Sequence, residues 1–499
     1  MLGPLRLALA GAAAASALQV PLQAPAPSEV PLVDSKSLQA RIEIERLQER
    51  ADRLYRIAKV SEQDDNWGRP TRVIGSLGHV GTLDYIRTTL GSVGGYYAVS
   101  EQTLPAVVGD VRQSRLVIDL VLVSATAFAL TPPTLDRQIV HGDLFWVGGV
   151  GCNSSDYPLA VEGNIALARR GDCPFGTKSE LAGRAGAIAL IVVNDEPGEL
   201  HGTLGTPAAN QVATFGLSKA DGDDYIDRIQ HGEVIEAFAF MDAFVRAVGT
   251  TNIVAQTVSG DQDNCVMLGA HSDSVPDGPG INDDGSGALS LLEVAVQLSH
   301  YRTNNCVRFA WMAAEEEGLV GSYYYVDRLS DDENRKIRLF MDYDMMASPN
   351  FAYQVYNATD GESPPGSQKL RDLYVAWYDD HGLNHTLIPF NGRSDYDGFI
   401  RHGIPAGGIA TGAEEVKTDE EQRMFGGRVG VSLDPCYHQK CDDLNNLNLT
   451  AWELNTKLIA HSVAEFAVSF DGFPERTLMS KAEKARLPPS RYRGPKPFM

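Results

Sequence analysis

Basic residues are in short supply in this sequence of 499 residues. Lys and Arg together number 43 against 65 Asp and Glu, and the formal net charge is −22. An acidic surface of this kind repels nucleic acid and anionic lipid, so we expect neither nucleic acid nor a membrane among its partners. Residues 476–499 are the exception, because they are basic and proline-rich, and we interpret them as a disordered tail.

Long apolar runs are also scarce. After the N-terminus the best is residues 116–130, LVIDLVLVSATAFAL, which is too short to cross a bilayer and carries Asp119. At the N-terminus a single arginine precedes an alanine-rich stretch that ends in Ala-Ser-Ala, which predicts a secretory signal peptide over residues 1–17. A membrane anchor is the alternative, but this run is too short for one. Proline-rich residues 18–34 predict a linker or a removed pro-segment.

Cysteines are few, and no Cys-x-x-Cys pair occurs, which argues against a cysteine zinc site. A secretory route allows the six cysteines to form disulfides, although sequence alone permits many pairings. Their positions narrow the choice. Cys436 and Cys441 lie close together, and Cys152 and Cys173 bracket one compact segment. Cys265 and Cys306 each begin an apolar strand. We therefore predict the disulfides Cys436–Cys441, Cys152–Cys173 and Cys265–Cys306.

Asn-x-Ser/Thr sequons fit a protein that leaves the cytoplasm. The predicted glycosylation sites are Asn153, Asn357, Asn384 and Asn448. Together with the signal peptide they predict a secreted glycoprotein, with the vacuole as the alternative destination.

The spacing of apolar residues changes along the chain. Residues 35–90 have helical spacing, and residues 123–241 have short β-rich runs with glycine turns, which we interpret as an inserted domain. After Asn252, strands alternate with helices. This order predicts an α/β fold with a mainly parallel mixed sheet sandwiched by helices. The catalytic domain is then discontinuous, over residues 35–122 and 242–475.

Residues suited to metal binding follow the ends of the predicted strands, which share one edge of such a sheet. In chain order they are His271, Asp273, Asp283, Asp284, Glu315, Glu316, Asp342, Asp344 and His438. Imidazoles and carboxylates gathered at one edge are what zinc requires, and this number suffices for two ions that share a carboxylate.

Each part of this set also has a plainer interpretation. His271 alone suits a buried structural histidine, NDDGSG is a common turn, and the EEE of residues 315–317 suits a solvated helix start. Their joint occurrence favours a metal site. A serine hydrolase is the main alternative among enzymes, but no Gly-x-Ser-x-Gly elbow is present.

Several ordered blocks carry a resemblance to a known family. GAHSDSV, GPGINDDGSG, AAEEEGLVGS, DYDMMASPN, GRSDYDGF and DPCYHQKCD resemble the signature blocks of the secreted dizinc aminopeptidases. More narrowly, the chain resembles the fungal leucyl aminopeptidase branch of aminopeptidase Y type. That branch carries an inserted protease-associated domain, which residues 123–241 resemble, and Cys152–Cys173 matches its disulfide.

The resemblance implies the dizinc exopeptidase fold, two Zn²⁺ per chain, and a metallo-aminopeptidase that acts on peptides with a free N-terminus. Leucine-like apolar residues are the implied substrates, a water attack assisted by glutamate is the implied mechanism, and we expect a monomer. The implied metal ligands are His271 and Asp344 for one ion, Glu316 and His438 for the other, and Asp283 as the bridge.

Further roles follow from the same resemblance. Glu315 is implied as general base and acid, and Tyr437 as the stabiliser of the oxyanion. Asp273 is expected to orient the imidazole of His271. In the family, the base, a ligand carboxylate and the GRSD loop bind the substrate amine, which implicates Arg393 in this chain. Met345 is a candidate wall of the side-chain pocket. A cis peptide is implied after the bridging aspartate.

Two departures from the family pattern concern acidic residues. Glu317 stands where relatives often carry an apolar residue, and we expect it to open the following helix. Asp342 competes with Asp344 as a ligand, and we prefer Asp344 because it lies nearer the strand end.

Three other functions of related proteins remain as alternatives. A glutaminyl cyclase uses one zinc ion, a carboxypeptidase needs a cationic pocket that we do not identify, and a binding protein of the transferrin-receptor kind has lost ligands. The complete set of five ligands favours the aminopeptidase over the cyclase and the binding protein.

Overall fold

Buried strands alternate with helices through much of the chain, in a computed structural model that describes residues 30–359 and 363–480. The predicted signal peptide, residues 18–29 of the predicted pro-segment and the tail after Ser480 lie outside the described residues. None of the helices in the described ranges is both long and apolar enough to span a membrane.

The helices and strands carry the labels used below. The helices are α1 Ser35–Gln39, α2 Ile44–Ala58, α3 Leu77–Gly91, α4 Phe175–Arg184, α5 Lys219–Gln230, α6 Gly285–Leu298, α7 Val320–Asp327, α8 Asp331–Lys336, α9 Ser367–Asp380, α10 Tyr396–Arg401, α11 Asp419–Phe425 and α12 Leu449–Val468. The strands are β1 Tyr97–Ile118, β2 Val121–Leu122, β3 Ala125–Ala127, β4 Val140–Trp146, β5 Ile165–Arg169, β6 Ala189–Val193, β7 Thr214–Leu217, β8 Glu236–Thr257, β9 Asp261–His271, β10 Asn305–Met312, β11 Ile337–Tyr343, β12 Gln354–Asn357, β13 Thr386–Pro389 and β14 Ala406–Ala410.

The predicted α/β fold is confirmed. The strands follow the order β13-β12-β14-β11-β9-β10-β8, with β14, β11, β9 and β10 parallel and antiparallel pairing at β12 and β8. Alternate residues of β10 enter two cores, with Phe309 packing towards α6 and α12 and Ala310 towards α7 and α10. Burial on both faces explains why these strands are apolar throughout.

Two long strands connect this sheet to the inserted region. β1 and β8 pair antiparallel over their whole length, with one irregularity between Val111 and Gln113. One end of β8 pairs with β10, and its other end pairs with β4, after which β4, β5, β6 and β7 run parallel. Separate apolar clusters cover the two faces of this second set of strands, so the inserted region has its own core.

Three disulfides join the described cysteines in the pairs Cys152–Cys173, Cys265–Cys306 and Cys436–Cys441. Cys265 and Cys306 lie opposite one another on the parallel strands β9 and β10. Cys436–Cys441 closes the short loop that carries Tyr437 and His438, and it therefore limits how far those two side chains move.

Two local features fix the elements next to the site. Strand β10 ends at Met312, because Ala314 has a φ of 61°, which is incompatible with an extended strand. The N-cap of α6 is Asp284, whose side chain accepts a hydrogen bond from the Gly287 amide, whereas Ser286 lies inside the helix.

Trp452 of α12 is fully buried, and its indole N–H donates to the Ser286 carbonyl at 3.0 Å. We expect Trp452→Ala to destabilise the protein by about 3–5 kcal/mol, because it leaves a cavity and removes the donor to α6. Leu159→Ala is the control, since Leu159 is 92% exposed and its truncation should change stability by no more than about 0.5 kcal/mol. Thermal unfolding of both variants measures the difference, and equal midpoints would contradict the packing described here.

Candidate active site

The carboxyl ends of three neighbouring strands bring the predicted site residues together. His271 is the last residue of β9 and lies opposite Met312, the last residue of β10. Asp344 follows the end of β11, and Glu315 and Glu316 follow the end of β10 by a short turn. Because the strands are parallel and in register, their ends reach the same level, and side chains from distant parts of the sequence meet there.

Asp283 lies between two imidazoles. Its Oδ1 is 3.4 Å from Nε2 of His271, and its Oδ2 is 3.1 Å from Nε2 of His438. A second carboxylate accompanies each imidazole, with Asp344 Oδ1 at 3.6 Å from His271 Nε2 and Glu316 Oε2 at 3.1 Å from His438 Nε2. The five side chains therefore form two groups that share one carboxylate.

These side chains are better suited to binding a metal ion than to hydrogen bonding with one another. Both ring nitrogens of His271 and the atoms Asp283 Oδ2, Glu316 Oε1 and Asp344 Oδ1 are buried without a hydrogen-bond partner. So many unsatisfied polar atoms are costly to bury, and divalent cations satisfy them. Imidazole nitrogens and carboxylate oxygens are ligands that zinc accepts, so the donor set fits zinc.

Asp284 also lies within reach of His271 and Asp344. Its carboxylate accepts backbone amide hydrogen bonds from His271 at 3.1 Å, Gly287 at 2.9 Å and Met345 at 3.1 Å. Because those amides already occupy its oxygens, we assign Asp284 to holding β9, α6 and the end of β11 together. The peptide bond between Asp283 and Asp284 is cis.

Glu315 lies beside this centre, and its side chain is buried. Its Oε2 is 3.9 Å from His271 Nε2. Burial raises the pKa of the Glu315 carboxyl well above its usual range, which the imidazole of His271 opposes and the charges of Glu316 and Asp344 reinforce. A carboxyl with a raised pKa, placed next to the ligands but outside both groups, suits proton transfer.

Asp273 forms no hydrogen bond with the imidazole that it was expected to orient. Its Oδ1 is 3.8 Å from His271 Nδ1, beyond hydrogen-bond distance. It instead accepts hydrogen bonds from the backbone amides of Glu315 and Glu316, both at 3.3 Å. In this structure Asp273 therefore holds the segment that carries Glu315 and Glu316.

The expectation for Glu317 was wrong. It is 8% exposed, and α7 begins only at Val320, so Glu317 neither faces solvent nor opens a helix. Burial raises its pKa well above the usual range, with the nearby carboxylate of Asp273 adding to the effect. The tight turn after Glu315 turns Glu317 inwards, and sequence periodicity carries no signal for such a turn.

Two further carboxylates lie close to the centre. Asp342 is buried and accepts a hydrogen bond from the Tyr396 amide at 2.9 Å. Asp395 is also buried, which raises its pKa to about 7. Asp395 lies in the block GRSDYDGF, for which the sequence analysis predicted a role only for Arg393.

A fully buried arginine supports the loop that carries Asp283. The guanidinium of Arg72 donates to the carbonyl oxygens of Ser272 at 2.5 Å, Pro279 at 2.8 Å and Gly280 at 2.5 Å. These bonds hold residues 272–280 in place between His271 and Asp283. Sequence analysis missed Arg72, since nothing in its local sequence indicates the contact.

Asp442 ties the same loop to the loop of His438. Its carboxylate accepts hydrogen bonds from the backbone amides of Asn282 at 2.9 Å and Asp283 at 3.0 Å. Burial raises the pKa of Asp442 to about 8, with the charge of Asp434 contributing in the same direction. The loop that carries Asp283 and the loop that carries His438 are therefore joined directly.

A small cavity of about 80 Å³ opens onto the centre. Met345, Gln354, Tyr356 and Ile388 line it, along with the metal-centre carboxylates. The predicted Met345 thus lies in the wall of a pocket next to Glu315.

Arg393 and Tyr437 meet at the mouth of the cavity. The guanidinium of Arg393 forms two hydrogen bonds with Glu414, at 2.6 Å and 3.0 Å, and donates to the Tyr437 hydroxyl at 3.2 Å. The ring of Tyr437 stacks on His438 with a centroid distance of 3.8 Å. Burial raises the pKa of Tyr437 well above its usual value, so its hydroxyl keeps its proton.

Two family models match this chain. The model of peptidase family M28 matches residues 252–463, which include every predicted metal ligand. The PA domain model matches residues 139–225, within the inserted region.

Similar proteins cover most of the chain. Aminopeptidase Y of Saccharomyces cerevisiae is 48% identical over 478 residues, covering 93% of this chain and 86% of that protein. Leucine aminopeptidase 2 of Trichophyton tonsurans is 41% identical over 456 residues, covering 90% of each. Among solved structures, an aminopeptidase from an Aneurinibacillus species aligns with a TM-score of 0.67 at 26% identity, covering 89% of this chain and 98% of that one.

Replacing Arg72 with methionine tests its support of the centre. Arg72→Met leaves the carbonyls of Ser272, Pro279 and Gly280 without their donor, so we expect zinc binding to weaken about 10- to 100-fold, as for other residues that hold ligands in place. Competition with a chelator measures the affinity. Arg46→Met is the matched control, because the Arg46 side chain is 48% exposed. Equal zinc affinity in the two variants would contradict this role for Arg72.

Proposed function

This chain belongs to peptidase family M28 and is a zinc-dependent aminopeptidase, and we propose that it uses two zinc ions to release leucine-like apolar residues from the N-termini of peptides. The observation that carries the two-zinc proposal is the position of Asp283. Its two oxygens face two different imidazoles, each accompanied by its own carboxylate. A single tetrahedral ion does not need this many ligands, whereas two ions that share a carboxylate do.

We assign His271 and Asp344 to one ion, Glu316 and His438 to the other, and Asp283 to both. The support is the grouping of their atoms and the unsatisfied nitrogens and oxygens described above. When bound, two zinc ions supply Lewis acidity, which lowers the pKa of a water molecule at the centre and polarises the substrate carbonyl.

Glu315 is the proposed general base and acid. Its carboxylate accepts the proton of the attacking water and later delivers that proton to the leaving amine. Its burial beside the two groups supports this role, because a carboxyl with a raised pKa holds the transferred proton more readily than an exposed one.

Tyr437 is the proposed donor to the developing oxyanion. Its oxygen accepts a hydrogen bond from Arg393 at 3.2 Å, which leaves its own O–H free to donate towards the cavity. The ion pair of Arg393 with Glu414 fixes the guanidinium and thereby the hydroxyl. A fixed donor aimed at developing charge is an effective contribution to catalysis.

Recognition of the N-terminus follows from the charge and size of the cavity. Glu315 and Asp344 line it and attract a substrate ammonium group, and the backbone of Arg393 completes the proposed amine site. Met345, Tyr356 and Ile388 supply apolar walls for one side chain. The leucine aminopeptidase named above supports a preference for leucine-like residues.

Secretion is also part of the proposal, with delivery to the vacuole as the alternative. The predicted signal peptide supports it, and three disulfides agree with an oxidising compartment. Of the four predicted glycosylation sites, Asn153 and Asn384 are exposed.

A panel of amino-acid arylamides, with and without a chelator, tests the proposed function. We expect leucine and similar apolar residues to be released fastest, with activity lost on chelation and restored by zinc. About two zinc ions should bind per chain, as five ligands in two groups require. One zinc ion per chain would favour single-zinc chemistry, and activity that resists complete metal removal would contradict the proposal.

Paired glutamate variants test the assignment of roles. Glu315→Gln should lower kcat by about 10²- to 10⁴-fold while both zinc ions stay bound, because it removes only the proton acceptor. Glu316→Gln should instead release or weaken one ion, because it removes a ligand. Metal analysis after dialysis and steady-state kinetics measure both effects.

Two outcomes would contradict these roles. Loss of one zinc equivalent in Glu315→Gln would make Glu315 a ligand. Full zinc content and full activity in Glu316→Gln would place the metal centre elsewhere.

A further inference from the structure

A second cleft adjoins the metal centre, between the catalytic strands and the inserted region. Glu316 and His438 of the metal centre line it, as do residues 275–277 of the loop after β9. Residues 109–111 of β1, residues 129–131 and Thr203 also line it. Its volume is about 330 Å³, within the ~300–1,000 Å³ usual for ligand sites.

The two cavities meet at the metal centre. Glu316 and His438 line both the cleft and the smaller pocket of about 80 Å³ beside Glu315. An aminopeptidase substrate has one residue before the scissile bond, and the smaller pocket has room for little more than that side chain. The remainder of the peptide must leave past the shared residues, and the cleft begins there.

We propose that this cleft binds the peptide segment that follows the scissile bond, an inference that rests on the aminopeptidase function proposed above. The inserted region then forms one wall of the substrate site. The cleft thereby selects peptides by the residues that follow the released residue, whereas the smaller pocket selects the released residue itself.

The charge of the cleft defines the peptides that it accepts. Asp110, Asp277 and Glu317 line it, and no lysine or arginine is among its described lining residues. Glu317 Oε2 is buried there without a hydrogen-bond partner. Arg69 approaches Asp110 at 2.8 Å and Asp277 at 3.5 Å, but it is a single cation beside these two carboxylates. The cleft therefore repels anions and attracts cations.

This charge predicts a particular preference among peptides. In a dipeptide the single residue after the scissile bond carries the C-terminal carboxylate, which would lie among these carboxylates. A longer peptide or a dipeptide amide places no such charge there. A lysine or arginine in the second position gains an attraction, and Val111, Val275 and Pro276 offer apolar surface to its methylene groups.

Four substrates that share an N-terminal leucine test the proposal: leucinamide, Leu-Ala, Leu-Ala-amide and Leu-Lys-amide. The leaving group of leucinamide is too small to enter the cleft, so its kcat/KM is the reference. We expect Leu-Ala-amide to exceed Leu-Ala by about tenfold in kcat/KM, the equivalent of one moderate charge interaction. Leu-Lys-amide should be better still.

The decisive variant is Asp277→Lys, which reverses a charge on the exposed wall of the cleft, where the Asp277 side chain is 71% exposed. It should remove most of the tenfold difference between Leu-Ala-amide and Leu-Ala. Asp471→Lys is the matched control, because Asp471 is an exposed aspartate after α12 and does not line the cleft. This control should keep the wild-type ratio.

A second variant tests the volume of the cleft instead of its charge. Ala129 is exposed at the wall of the inserted region, and Ala129→Trp should lower kcat/KM for Leu-Lys-amide relative to leucinamide, mainly through KM. Equal ratios in the wild type, Asp277→Lys and Ala129→Trp would overturn the cleft proposal while leaving the aminopeptidase function intact. Failure of the wild type to hydrolyse leucinamide and all three peptides would overturn both.

Discussion

The concentration of negative charge around His271 and His438 is the constraint on which the rest of this structure depends. Asp283, Glu315, Glu316 and Asp344 all lie within 4 Å of one of these imidazoles, and Asp283 and Glu315 are buried. Carboxylates at such distances raise one another's pKa and oppose folding unless cations compensate. The two zinc ions proposed here supply that compensation, and they make the adjacent glutamates compatible with a folded core.

Much of the surrounding structure holds these carboxylates in position. Asp284 accepts hydrogen bonds from three backbone amides in separate segments. Asp273 accepts two from the amides of Glu315 and Glu316, and Asp442 accepts two from amides in the loop that carries Asp283. Arg72 gathers the carbonyl oxygens of that loop. Acidic side chains and one buried cation thus fix the backbone, while a different set of acidic side chains remains free for metal ions and for proton transfer.

The long strands β1 and β8 give the inserted region a place in the substrate site. They pair along their whole length and so fix the inserted region relative to the sheet that carries the metal centre. The proposed peptide cleft lies where β1 passes the loop after β9. Its acidic lining agrees with the overall charge of −22, and both favour substrates that carry positive charge beyond the first residue.

The sequence predicts the α/β class of the fold, because apolar strands alternating with helices leave few other arrangements. It also indicated which imidazoles and carboxylates to examine, since these residues stand at strand ends within recognisable blocks. The preference for Asp344 over Asp342 followed from distance to the strand end. In the structure Asp344 approaches His271, whereas Asp342 accepts a hydrogen bond from the Tyr396 amide.

The contacts of the other residues arise only in the folded chain. Arg72 contacts carbonyl oxygens about 200 positions later in the chain, and Asp442 contacts amides about 160 positions earlier. Glu317 is turned inwards by a tight turn, and Asp273 accepts hydrogen bonds from two backbone amides but none from the imidazole of His271. Local sequence patterns record the burial and periodicity of a segment. They carry no record of which distant backbone groups will lie beside it, and that proximity is what gives Arg72, Asp442 and Asp273 their hydrogen bonds.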